Sequence, residues 1–147
     1  MIPALGRVIS ATVLFGAFSL SIADDMPPIE GTWLSGDGDG WIEISLTDDG
    51  LSGVIAGSPN GDDERPDKDE HNPDPALRDR PLTGLELFRN FSYDGDGRWT
   101  DGTIYDPNSG KTYRCIITWV DEDTLKVRGY VGVPMLGRTE TWTRVPD

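Results

Sequence analysis

The sequence predicts an all-β domain, a small antiparallel barrel or sandwich of hairpin-linked strands with one long irregular loop. Three observations point to it. First, turn chemistry recurs at short intervals: Gly36-Asp37-Gly38-Asp39-Gly40, Asp48-Asp49-Gly50, Asp94-Gly95-Asp96-Gly97, Pro107-Asn108-Ser109-Gly110 and Asp121-Glu122-Asp123. Glycine supplies positive φ, and Asp and Asn bond back to their own backbone. Second, the runs between these turns are short and β-prone: 31–35, 41–47, 51–57, 98–105, 111–120, 124–133 and 138–144. Short strands at even spacing are the signature of up-and-down antiparallel architectures. Third, the runs alternate. Ile42, Ile44 and Leu46 share a face against Trp41, Glu43 and Ser45, and Leu125, Val127 and Val131 share one against Lys126, Arg128 and Tyr130. Only 81–91 is ambiguous, since Leu82, Leu85 and Phe88 suit a turn of helix as well as a strand.

Residues 1–23 read as a cleaved signal peptide. Arg7 is the one charge in a segment whose apolar stretch ends in Ser21-Ile22-Ala23, with Asp24-Asp25 directly after. The stretch is short and serine-diluted for a membrane span, which takes roughly 20 apolar residues. The expected location is periplasmic or secreted. Lipid attachment at the cleavage site needs a Cys, and Cys115 is the single cysteine, so a lipoprotein is excluded. Residues 24–147 then form one domain, expected to be monomeric and without stable membrane insertion.

The chain has net charge −13, and loss of Arg7 leaves 12 basic against 26 acidic side chains. Binding to nucleic acid or to anionic membranes draws on basic contacts, so this balance argues against both. Cys115 alternates in phase with Tyr113, Ile117 and Trp119, which predicts a buried small hydrophobe rather than a reactive thiol.

Residues 58–80 break the strand pattern. Positions 60–70 are almost entirely charged and read as a solvated loop. Asn72-Pro73-Asp74-Pro75 differs: proline fixes φ and Asn and Asp cap the backbone, which builds an ordered loop. His71 is the single histidine, so no Ser-His-Asp arrangement has support. Asp67, Asp69, Glu70, His71 and Asp74 match no metal-ligand spacing. The Asp-Gly-Asp-Gly runs fail the calcium-loop pattern, with Trp41-Ile42 and Arg98-Trp99 at the fifth and sixth positions. Neither a metal nor a cofactor is expected, and an enzyme ranks last.

Gly31-Thr32-Trp33 in the first strand and Trp142-Thr143-Arg144 in the last resemble the lipocalin-like (calycin) signature, in which the Trp closes one barrel end and the Arg lies over its ring. Two ordinary core tryptophans are the alternative. A longer ordered series runs through His71-Asn72-Pro73-Asp74-Pro75, Gly102-Thr103-Ile104-Tyr105-Asp106-Pro107, Ser109-Gly110-Lys111-Thr112-Tyr113, Leu125-Lys126-Val127-Arg128-Gly129-Tyr130 and Leu136-Gly137-Arg138. As a set it resembles domain-of-unknown-function family 2147, exported bacterial proteins. The resemblance implies a lipocalin-like up-and-down β-barrel and assigns no biochemical role.

On such a barrel, Glu43, Lys126, Arg128, Tyr130, Arg138, Glu140 and Trp142 fall opposite the aliphatic face. Arginine and aromatic residues gathered on one face favour a binding site. The candidate ligand-binding set is Arg128, Tyr130, Arg138 and Trp142, with Asn72, Asp74, Arg78 and Arg80 of the ordered loop closing over it. Paired arginines favour an anionic group. The other reading has Asp74 and Asp106 pinning the loop through these arginines. The expected function is binding or carriage of a small amphipathic, hydrophobic or anionic molecule; the alternative is an envelope structural or protein-interaction domain.

Overall fold

The computed structural model describes Gly16 and residues 26–59 and 68–147. The proposed signal peptide and most of the charged stretch 60–70 lie outside the described residues. Eight antiparallel strands, each bonded to its sequence neighbours, close into one barrel: β1 (Gly31–Leu34), β2 (Trp41–Thr47), β3 (Gly50–Gly57), β4 (Glu86–Gly95), β5 (Arg98–Asp106), β6 (Lys111–Asp121), β7 (Thr124–Tyr130) and β8 (Arg138–Arg144). The ring closes where β1 pairs with β8, at Trp33↔Arg144 and Leu34↔Thr143. The Asp-Gly runs are its hairpin turns, with positive φ at Gly38, Gly95, Asp96 and Gly97.

The ambiguous segment is a strand, β4, with an irregular face. Leu87, Phe88 and Phe91 are buried while Arg89 and Asn90 are exposed. Asn90 sits at φ 61°, a left-handed conformation that Asn tolerates better than most residues. This kink resets the alternation, so the rings of Phe88 and Phe91 meet edge-on at 5.3 Å. On the neighbouring strand β5, Asp101 is also left-handed, at φ 63°. From this point the two strands run side by side without register pairs. β4 and β5 are in register only at Ser92↔Thr100, Tyr93↔Trp99 and Gly95↔Arg98. Residues 86–91 pair with β3, and 102–106 with β6.

The barrel is filled at one end and open at the other. Trp33, Ile44, Leu51, Phe91, Trp99, Ile117 and Leu125 are buried in the core. Cys115 is buried too, as its strand phase predicts. The closed end is fastened by the predicted aromatic–arginine pair. The Arg144 guanidinium lies 4.3 Å from the Trp33 ring centroid and donates to the carbonyls of Glu30, Pro28 and Glu122. Trp33 Nε1 donates to Ile29 O at 2.9 Å. Gly31 is required here: a Cβ would stand 2.7 Å from Arg144 Nη1, and its φ of +140° disfavours side chains.

Candidate functional site

At the open end the barrel interior becomes a cup of about 380 Å³. Its walls are Ile42, Ile55, Leu87, Ile104, Tyr113, Val127 and Trp142. Each comes from an inward position of its strand, and cross-strand pairs such as Ile42↔Ile55 and Ile104↔Tyr113 stack two at a time. Ser35, Asp37, Asp39, Asp106, Asn108, Arg138 and Glu140 supply the polar groups. Asp39 accepts from the Ser35 hydroxyl, and Asp106 accepts from Asn108 N and the Ser109 hydroxyl. Glu140 accepts from Trp142 Nε1 at 3.2 Å. Its side chain also packs on Gly36. Arg138 is exposed, and its side chain makes no hydrogen bond or ion pair among the described residues.

Glu140 also reaches the core electrostatically. Burial, and secondarily this carboxylate, pushes the Cys115 thiol up to about 12.

The eight residues expected to gather at a ligand divide into three groups. Arg138 and Trp142 face the cup. Arg128 and Tyr130 do not: Leu125 and Val127 hold the inward positions of β7, which leaves Arg128 and Tyr130 on the outer wall. There Arg128 donates to Pro134 O and to the Thr139 hydroxyl. The single face expected for Arg128, Tyr130, Arg138, Glu140 and Trp142 is thus corrected, and the arginines are not paired. The cause lies in β8, where bulky residues alternate with Thr139, Thr141 and Thr143. With no aliphatic residue to mark its inner face, its phase is set only by the register Val127↔Glu140.

The third group, Asn72, Asp74, Arg78 and Arg80, builds the loop and does not line the cup. Asp74 caps a 3₁₀ turn over Pro75–Leu77 through Ala76 N. Arg78 donates to Asn72 O. The loop is pinned to the barrel, as the alternative reading had it, but the acid is neither Asp74 nor Asp106. It is Asp69, fully buried, which accepts from Tyr105 Oη at 2.6 Å, Asn72 Nδ2 at 2.8 Å and Arg80 Nε at 2.8 Å. Burial alone would raise its pKa, but the three hydrogen bonds, with the Arg80 charge behind them, hold the carboxyl below its ordinary value. Tyr105 responds in the opposite sense: burial and the anion beside it push the phenol up to about 12. Sequence reasoning passed over Asp69 because it sits in a run of acids. Its one signal was position, just before the proline-rich ordered segment. The fit is close: a Cβ on Gly110, at φ +71°, would stand 1.9 Å from His71 O.

A second concavity, a cleft of about 630 Å³, lies beside the stretch of β4 and β5 that lacks register pairs. Arg80, Thr83, Arg89, Thr103 and Thr112 are among its lining residues, and it shares Leu87 and Tyr105 with the cup.

The barrel has known counterparts. A family model described as "Uncharacterized protein conserved in bacteria (DUF2147)" matches residues 31–144. A solved structure, protein HP1028 from Helicobacter pylori, described as belonging to the lipocalin family, aligns with a TM-score of 0.72 and 22% identity. The alignment covers 80% of this chain and 83% of that one. No curated protein matches. The fold is lipocalin-like, as its first and last strands predicted.

Proposed function

The chain belongs to the DUF2147 family of uncharacterized bacterial proteins, and we propose that this member binds a small amphipathic molecule in the cup of its barrel. One observation carries the reading. The interior is packed with aromatic and aliphatic side chains at the Trp33 end, yet at the other end apolar walls enclose about 380 Å³ of unfilled space. Small-molecule sites are commonly such concavities, ~300–1,000 Å³, with apolar walls and a few polar groups that fix orientation.

The polar groups refine the ligand. Asp37, Asp39, Asp106 and Glu140 stand around the cup against Arg138, so its field favours a neutral or cationic polar end over an anionic one. The apolar body would lie against Val127, Ile104 and Trp142, with its polar end beside Arg138 and Glu140. Export through residues 1–23 belongs to the same proposal and places binding outside the cytoplasm.

The test is titration with the neutral apolar fluorophore N-phenyl-1-naphthylamine. Val127→Phe should fill the cup and weaken binding by roughly tenfold or more, with the unfolding temperature showing that the barrel stays folded. No saturable binding by the wild type, or equal binding by the variant, overturns the reading.

A further inference from the structure

The β7–β8 connection carries four apolar side chains in the open: Val131 is 68% exposed, Val133 52%, Met135 90% and Leu136 77%. Scattered surface hydrophobes need no explanation, but four within six residues form a patch that asks for a partner. The loop is ordered around them. Pro134–Leu136 is a 3₁₀ turn, Leu136 N donates to Val133 O at 3.1 Å, and Arg128 Nε donates to Pro134 O at 2.8 Å. The backbone is satisfied internally while the side chains project.

The wall beneath this tip has unusual charge for the chain. Register places Arg114 beside Tyr130, Ile116 beside Arg128 and Thr118 beside Lys126 on the outer face. Thr139 and Thr141 continue the same rows onto β8. Within those rows are three cations, Arg114, Lys126 and Arg128, and no carboxylate, in a chain of net charge −13. Exposed charges act over about a Debye length, ~10 Å, so a surface meeting this face responds to the local cations more than to the total.

We propose that the β7–β8 tip is a membrane-docking element that seats the protein reversibly on an anionic phospholipid surface. Interfacial binding needs apolar side chains to enter the headgroup boundary and basic ones to meet its charge. The tip supplies the first and the outer face of β6–β8 the second. Tyr130, at the base of the tip, has the amphipathic ring favoured at that depth. A protein partner fits less well, since stable interfaces cover about 800 Å² on each side and the apolar surface here is a single short protruding loop. Gly129 and Arg138, which bracket the connection, line the cup, so docking brings the cup's rim to the bilayer.

The experiment is flotation of the protein, purified as its host exports it, with vesicles of phosphatidylcholine alone or with about 30% phosphatidylglycerol. The wild type should float with the anionic vesicles and less so in about 0.5 M salt. Met135→Ser with Leu136→Ser should lower partitioning by roughly tenfold or more. Arg114→Gln with Lys126→Gln should lower it by about tenfold on anionic vesicles and weaken the salt dependence, Arg128 being the cation that remains. Both double variants change exposed residues, and unchanged thermal unfolding confirms their fold. Any contribution from residues 1–23 is common to all forms. A wild type that stays in solution with both vesicles overturns the proposal and assigns the tip to a protein partner. Equal flotation of the serine variant overturns it as well.

Discussion

The Tyr105 hydroxyl donates a 2.6 Å hydrogen bond to Asp69, 36 residues earlier in the chain, and this contact fastens the long loop to the barrel. Asp69 is buried with all three donors on one carboxylate, so it acts as the hub of the loop rather than as a surface charge. A carboxylate with such partners holds the loop firmly only while every partner is in place.

Replacing Asp69 by Ala strands the Tyr105 hydroxyl and the Asn72 amide, while Arg80, half-buried, can still reach water. The expected cost is about 2–4 kcal/mol, a fall in melting temperature on the order of 10 °C. Tyr105→Phe removes one donor and should cost less, about 1–2 kcal/mol. Differential scanning calorimetry of the two variants decides; equal stability of Asp69→Ala and wild type would remove the hub from the account.

The same pair sets a pH window. Asp69 has a folded pKa below its ordinary value of 3.8, so its contribution is present above that value and is lost as pH falls through the lower, folded pKa. Tyr105 has a folded pKa raised from 10.0 to about 12. Its contribution is therefore complete below pH 10 and lost as pH rises toward 12. Chemical denaturation across pH should show this loss at both extremes in the wild type. Asp69→Ala should lose the acid component and diminish the alkaline one, since burial is the larger cause of the Tyr105 shift.

At the closed end, Arg144→Ala gives up the stacking on Trp33 and the donors to three carbonyls, an expected loss of roughly 2–3 kcal/mol. Arg144→Lys keeps the charge without the planar fork and should recover only part of it. Gly31→Ala should reach a similar loss from the other side, by pushing a methyl into the guanidinium at a strained φ. Thermal melts of the three variants test the set.

Cys115 should resist alkylation at neutral pH in the folded protein and react promptly in denaturant, because its thiol is buried with a pKa of about 12. Glu140→Gln should lower that pKa while leaving it well above the ordinary thiol value of 9.0, since burial is the larger cause. The pH dependence of iodoacetamide labelling in the two proteins measures the difference.

Much of this fold was legible in the chain. The Asp-Gly runs marked the hairpins because they supply the backbone angles that tight turns need. Gly31, Trp33 and Arg144 marked the closure because a guanidinium over an indole leaves no room for a side chain beside it. β4 was not legible, since its alternation is broken at Asn90 by a backbone conformation and not by composition. The candidate site was only half legible. Trp142 and Arg138 reach the cup, but placing Arg128 and Tyr130 required the register between β7 and β8, which no single strand encodes. Asp69 looked like its acidic neighbours because burial, not residue type, distinguishes it.

The register between β4 and β5 stops at Ser92↔Thr100, which leaves one stretch of wall without paired residues. Between residues 86–91 and 101–106 no register pair is formed, and the β1–β8 closure is held by two. Such segments open at lower free energy than paired ones. Leu87 and Tyr105, the two residues shared by cup and cleft, lie along that line. They thus form the partition between the two concavities. Tyr105 is held in that position by its hydrogen bond to Asp69, so the loop's anchor and the partition between cup and cleft are the same side chain.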